Sequence, residues 1–134
     1  MSLKPEERKA IVELEYEKAV SIIEKIDVLI REEMWDIVAN RLYYSLFHAV
    51  SALLVNDEHI AESHKGKVIV FGQFYIRTGV FSLEDGKLYS RLQTMRELAD
   101  YNCAFQTSKD EILPFVEPSK ALIAKIRQKL TILD

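Results

Sequence analysis

From Leu42 to Asn56 no residue carries a formal charge unless His48 is protonated. That run constrains the chain more than any other stretch. Wound as a helix at about 100° per residue, Val38, Leu42, Leu46, Ala49 and Leu53 fall on one apolar stripe. Tyr43, Phe47, Val50 and Leu54 form a second stripe beside it. A helix apolar over so much of its circumference must be central, with other helices packed around it. The remaining seam carries Arg41, Tyr44, Ser45, His48 and Ala52, neighbours at three- and four-residue spacings. The segment Met34–Asn56 is therefore read as the core helix, and its polar edge as the first place to look for chemistry.

The flanking segments supply the partners. Pro5-Glu6-Glu7 suits a helix start, with proline in the first turn and carboxylates at the positive end of the dipole. Ile11, Leu14, Ala19, Ile22, Ile23, Ile26 and Ile30 continue it as an amphipathic helix to about Arg31, where Arg31-Glu32-Glu33 marks the break. Asp57 to Lys67 is polar and reads as a loop. Val68 to Ile76 is ambiguous, because its β-branched and aromatic content suits a strand while Val68, Phe71 and Tyr75 fit one helical face. Ser82 with Glu84-Asp85 caps a further helix, whose first turn Gly86 weakens. Leu88, Leu92, Met95, Ala99 and Cys103 line one face of it, which makes Cys103 a small core residue. Ser108 to Glu111 is a capping box, and the last helical segment should kink or restart at Pro118. Ile112, Phe115, Ile123, Ile126 and Leu130 form its apolar face. The whole is an all-α bundle of about five helices, a single domain over residues 1–134.

Composition narrows the class. A net charge of −3 and a pI near 5.7 give no global attraction to phosphate backbones, so nucleic-acid binding would need a local basic patch. Cys103 stands alone, which rules out an intrachain disulfide and suits a reducing compartment. The charged stretch Lys4–Lys9 is not a signal peptide, and no weight is placed on Met1-Ser2-Leu3. The apolar centre, bracketed by Arg41 and Asp57, falls short of the roughly 20 residues of a membrane span. A soluble, cytoplasmic domain is expected, with no membrane association.

Three polar constellations remain, each with two readings. Arg41 and His48 lie two turns apart on one face, with Tyr44 between them. They could converge on an anion and move a proton, or form a buried seam paired to a carboxylate and a backbone carbonyl. Arg96 and Asp100, beside Tyr101, read as an exposed i,i+4 salt bridge or as a cleft arginine held in place by its carboxylate. Ser63-His64-Lys65-Gly66-Lys67 reads as a solvated loop or as a phosphate site, with Gly66 admitting close backbone approach. The histidines lack metal-site spacing, and phosphate loops and paired-cysteine zinc motifs are absent, so neither metal nor cofactor is expected.

Taken in order, Asn-Arg-Leu-Tyr-Tyr-Ser-Leu-Phe-His (40–48), Ser-His-Lys-Gly (63–66) and Arg-Glu-Leu-Ala-Asp-Tyr (96–101) resemble the HEPN domain. The likeness is to its small prokaryotic stand-alone branch, and it covers nearly the whole chain. It implies an up-and-down helical bundle, with Val68–Arg77 helical, and a homodimer. It also implies a minimal nucleotidyltransferase partner in a toxin–antitoxin pair. Active members are metal-independent ribonucleases with an Arg and, four to six residues on, a His in a late helix. Arg96 matches that Arg, whereas no His follows His64 in this chain and Tyr101 stands in the region of the missing one. The resemblance thus leads to two expectations. One is a module that binds RNA or nucleotide in a dimer cleft walled by Arg41, Tyr44, His64, Lys65, Asp100 and Tyr101. The other is a ribonuclease with a substituted site, in which Arg96 acts with His48 or His64.

Overall fold

The structure is a computed structural model that describes residues 3–134. Its helices are α1 (Pro5–Ile23), α2 (Ile26–Arg31), α3 (Trp35–Asn56), α4 (His64–Phe71), α5 (Leu83–Tyr101), α6 (Lys109–Ile112) and α7 (Val116–Lys129). Among the described residues there is no strand. The elements α1 and α2 run nearly end to end, and a short 3₁₀ turn, Leu113–Phe115, joins α6 to α7. The molecule is thus an all-α bundle of five helical columns, and none of its helices is long and apolar enough to cross a membrane.

Helix α3 is the axis of the bundle, packed by α1, α4, α5 and α7. Val38, Leu42, Leu46, Ala49 and Leu53 are completely buried, as are Tyr43 and Val50 of the second stripe. Chain direction follows from cross-links. The Arg8 guanidinium at the start of α1 donates to the Asn56 carbonyl at the end of α3 (2.7 Å), so these two helices are antiparallel. Asn56 also donates to the Lys129 carbonyl (3.3 Å) and accepts from the Ile132 amide (3.1 Å), tying the end of α7 to the same point. At the other end the Asp36 carboxylate accepts the Thr107 amide (2.6 Å), which sets α5 antiparallel to α3.

Several expectations are corrected here. The polar loop is shorter than expected: Ser63 caps α4, its Oγ accepting the Gly66 amide at 2.8 Å, so His64, Lys65 and Lys67 are helical. Val68 to Ile76, ambiguous from its residues alone, is helical as the family resemblance implied, its last five residues widened into a π-turn. Leu14 is 67% exposed and Val12 takes its place in the core, while Ala19 and Ile22 are buried as expected. Cys103 is exposed because α5 ends at Tyr101, before the apolar phase reaches it. The last break falls at the 3₁₀ turn holding Pro114, and Pro118 sits harmlessly in the first turn of α7. Gly86 has a packing role: a Cβ there would lie 3.0 Å from Ile76, so glycine lets the π-turn seat on the first turn of α5.

Both ends of the helical hairpin around α3 turn without glycine. Glu33 (φ 55°) and Glu58 (φ 60°) take the left-handed conformation. In each case two backbone bonds close a Schellman motif: Met34 N–H to the Leu29 carbonyl, and His59 N–H to the Leu54 carbonyl, with the companion bond beside each. A non-glycine residue in this region costs roughly 1–2 kcal/mol, which the satisfied carbonyls offset.

Candidate functional site

Arg96 emerges from the fourth turn of α5 with only 18% of its side chain exposed. Its Nη1 donates to Asp100 Oδ2 at 3.1 Å, and its Cζ lies 5.4 Å from the centre of the Tyr43 ring. Burial works against its charge, and the Tyr44 hydroxyl together with Tyr43 and Asp100 more than offsets that, raising its already high pKa. The guanidinium is a permanent cation. Its buried Nε has no hydrogen-bond partner among the described residues. On one flank it walls a cleft of about 200 Å³ shared with Asp36, Asn40, Asp100 and Phe105. The two readings of Arg96 therefore coexist, since the salt bridge to Asp100 is what holds the cleft arginine in place.

His64 enters from the first turn of α4. Its ring stacks on Phe47 (4.5 Å between centres, 25° between planes), and its Nδ1 is 2.5 Å from the Tyr43 hydroxyl. Burial lowers its pKa below the usual 6.5, and the nearby charges of Arg96 and Lys67 lower it further against a weaker pull from Asp100. Burial raises the Tyr43 pKa, so the phenol keeps its proton. A neutral phenol beside a neutral imidazole donates, since it is the better acid and the ring nitrogen the better acceptor. The one proton left on the imidazole then sits on Nε2. As folded, His64 offers a hydrogen-bond donor rather than a free base.

His48 has a different neighbourhood. Its Nδ1 lies 3.1 Å from Glu15 Oε2 of α1, and its ring meets Phe47 edge-on at 5.2 Å. Arg41 donates twice to the Asn40 side chain (3.2 and 3.0 Å) and lies over the Tyr44 ring at 5.3 Å. Arg41 and His48 thus face different partners instead of converging on one point. Lys67 reaches back to Ser51 Oγ (2.8 Å) and lies 4.4 Å from the centre of the Phe47 ring. Burial lowers its pKa and Glu15 partly restores it. Lys65 is exposed, and Tyr101, at the end of α5, is 90% exposed. Gly66 serves the cap, because a Cβ there would come within 2.7 Å of Ser63 Oγ.

Sequence reasoning placed Tyr43 in the apolar stripe and missed its hydroxyl. The ring is fully buried while its oxygen reaches His64, a division of one side chain that spacing does not reveal. Asp36, Asn40 and Phe105 were also missed, for they meet Arg96 only through the antiparallel packing of α3 and α5.

A "UPF0332 protein" of Thermotoga maritima is 25% identical over 122 residues, covering 91% of this chain and 92% of that protein. A Methanocaldococcus jannaschii protein named "Putative toxin" is 32% identical over 112 residues, 78% of this chain and 76% of its own. A second "UPF0332 protein", from Archaeoglobus fulgidus, is 22% identical over 116 residues, 87% and 92% of the two chains. The HEPN domain model matches residues 12–129, from the first buried position of α1 to the last residue of α7, and the chain belongs to the HEPN domain family.

Proposed function

We propose that this protein is a toxin-type component of a toxin–antitoxin pair, with a minimal nucleotidyltransferase as its partner, and that it binds RNA or nucleotide through a phosphate held by Arg96. HEPN membership and the toxin name of the Methanocaldococcus jannaschii relative support the class. One observation carries the site: a half-sheltered arginine with an unpartnered Nε stands beside a neutral His64 that can donate a hydrogen bond. A fixed cation and a neutral donor together suit a phosphodiester, which accepts from both. In this reading Tyr44, Asp100 and Tyr101 border the bound strand, and two copies of the cleft face each other in a homodimer.

Fluorescence anisotropy with a labelled single-stranded RNA tests this directly. Arg96→Ala should weaken binding by about 10- to 100-fold, the loss of a charged hydrogen-bonding group. Binding unchanged by Arg96→Ala would sink the assignment. Light scattering at micromolar concentration should give a dimeric mass, and a strictly monomeric one would remove the paired cleft.

A second reading, metal-independent cleavage, has its own support. His64 lies beside Arg96, where a proton-transfer group is needed, although it comes from α4 instead of following the arginine on α5. It would require the Tyr43–His64 bond to open so that Nδ1 can accept the 2′-hydroxyl proton. RNA incubated in EDTA decides between the two. Cleavage abolished by both Arg96→Ala and His64→Ala supports the enzyme, and intact RNA with retained binding leaves the binding module.

A further inference from the structure

We infer that the cleft beside Arg96 is a nucleobase subsite that prefers guanine and disfavours uracil. The inference rests on Arg96 holding a phosphate, and adds what occupies the space next to it. The cleft lies on the side of Arg96 formed by the start of α3, the end of α5 and the segment after it. Its volume of about 200 Å³ falls below that of pockets for drug-sized ligands and suits one planar ring system.

The lining has the chemistry of a base edge. Phe105 and the Met95 and Ala99 side chains supply apolar wall, and Asp36, Asn40 and Asp100 supply acceptors and one amide donor. Each carboxylate is fixed by one protein donor, and the Asn40 oxygen by two bonds from Arg41. Asp36 Oδ1 takes the Thr107 amide at 2.6 Å, Asp100 Oδ2 takes Arg96 at 3.1 Å, and Asn40 Oδ1 takes Arg41 at 3.0 Å. Those bonds orient the groups without exhausting them. The second oxygens of Asp36 and Asp100, and the Asn40 amide donor, have no protein hydrogen bond among the described residues. Two spare carboxylate oxygens call for donors. Guanine offers two adjacent donors, its ring N–H and its amino group, one for each of those oxygens. Uracil instead turns a carbonyl oxygen toward the carboxylates on each side of its single N–H, which costs binding. Arg96 forms the wall between this cleft and the Tyr44–His64 side, so a base in the cleft and its phosphate would share one guanidinium.

The test uses the full chain and two labelled 2′-fluoro heptamers, UUUGUUU and UUUUUUU, which cannot be cleaved by their own 2′-oxygen. The guanine-containing strand should bind about tenfold tighter, the worth of one well-placed hydrogen bond to a charged group. Asp36→Asn keeps the oxygen that takes the Thr107 amide and turns the other acceptor into a donor. It should shrink the preference to about twofold or reverse it. Ala99→Trp, at an exposed position on the rim, should fill the cleft and equalise the two strands at the weaker affinity. Equal binding of both strands by the wild type, with Arg96→Ala still lowering both, would overturn the base subsite and leave the phosphate site standing. A guanine preference untouched by both cleft variants would overturn it as well. Failure of both strands to bind would remove the phosphate reading and the subsite with it.

Discussion

Two histidines touch the ring of Phe47, and their surroundings have opposite sign. His48 meets a carboxylate from α1, Glu15 at 3.1 Å. His64 lies in the field of the cations Arg96 and Lys67 and, among the described residues, takes its one side-chain hydrogen bond from a phenol. The same side chain therefore meets an interhelical carboxylate in one case and is a neutral donor in the other. What differs is the set of helices that arrive beside each. For His48 that is α1; for His64 it is α3 and α5. An imidazole beside a carboxylate is already satisfied, whereas one beside two cations lies where an anion would be welcomed.

Three measurements can break or sharpen that contrast. The largest effect is expected on RNA affinity. His64→Ala should weaken binding by about tenfold and His48→Ala by less than about twofold, because only His64 borders the Arg96 cation. Equal losses in anisotropy would erase the distinction. Next comes pH dependence of stability. The folded state lowers the His64 pKa below its ordinary 6.5, so between those two values the unfolded chain binds more protons. Stability contributed by neutral His64 is complete above about 6.5 and is lost as pH falls toward the lowered value. Thermal melts should show the midpoint rising with pH through that window, and His64→Gln should flatten the rise. An unchanged slope would mean that other groups cause it. The smallest effect concerns the Glu15–His48 contact. Glu15→Gln should cost no more than about 1 kcal/mol in urea unfolding, as the pair is partly solvated. A larger loss would make Glu15–His48 a principal tie between α1 and α3.

How much of this was readable beforehand depends on the range of the interaction. The axis helix was legible because an uncharged run leaves no face for solvent, and Leu42, Leu46 and Leu53 are indeed fully buried. The caps at Ser82 and Ser108 were legible because a capping box links residues only three positions apart. The turns at Glu33 and Glu58 were not, since the left-handed position carries glutamate where glycine is the usual mark. Cys103 and Leu14 continued apolar patterns that the fold ends or leaves in solvent. For the candidate site, Arg96 and its bond to Asp100 followed from a four-residue spacing. The pairing of Tyr43 with His64 joins residues 21 apart on two helices. No periodicity encodes it.

Asn56 ties together segments that are synthesised far apart. Its bonds reach 48 residues back to Arg8, and 73 and 76 residues forward to Lys129 and Ile132. On a ribosome, α1 and α3 are complete while the last two partners do not yet exist. The side chain of Asn56 then faces water until the final turn of α7 closes on it, so the end of α3 is sealed last. Loop-closure entropy sets that order, because the longest loops close only after nearer contacts have formed. The Ile132 amide, held by this one side chain, becomes a reporter of the step. Its hydrogen exchange records how often the closed bundle reopens at its last-made joint.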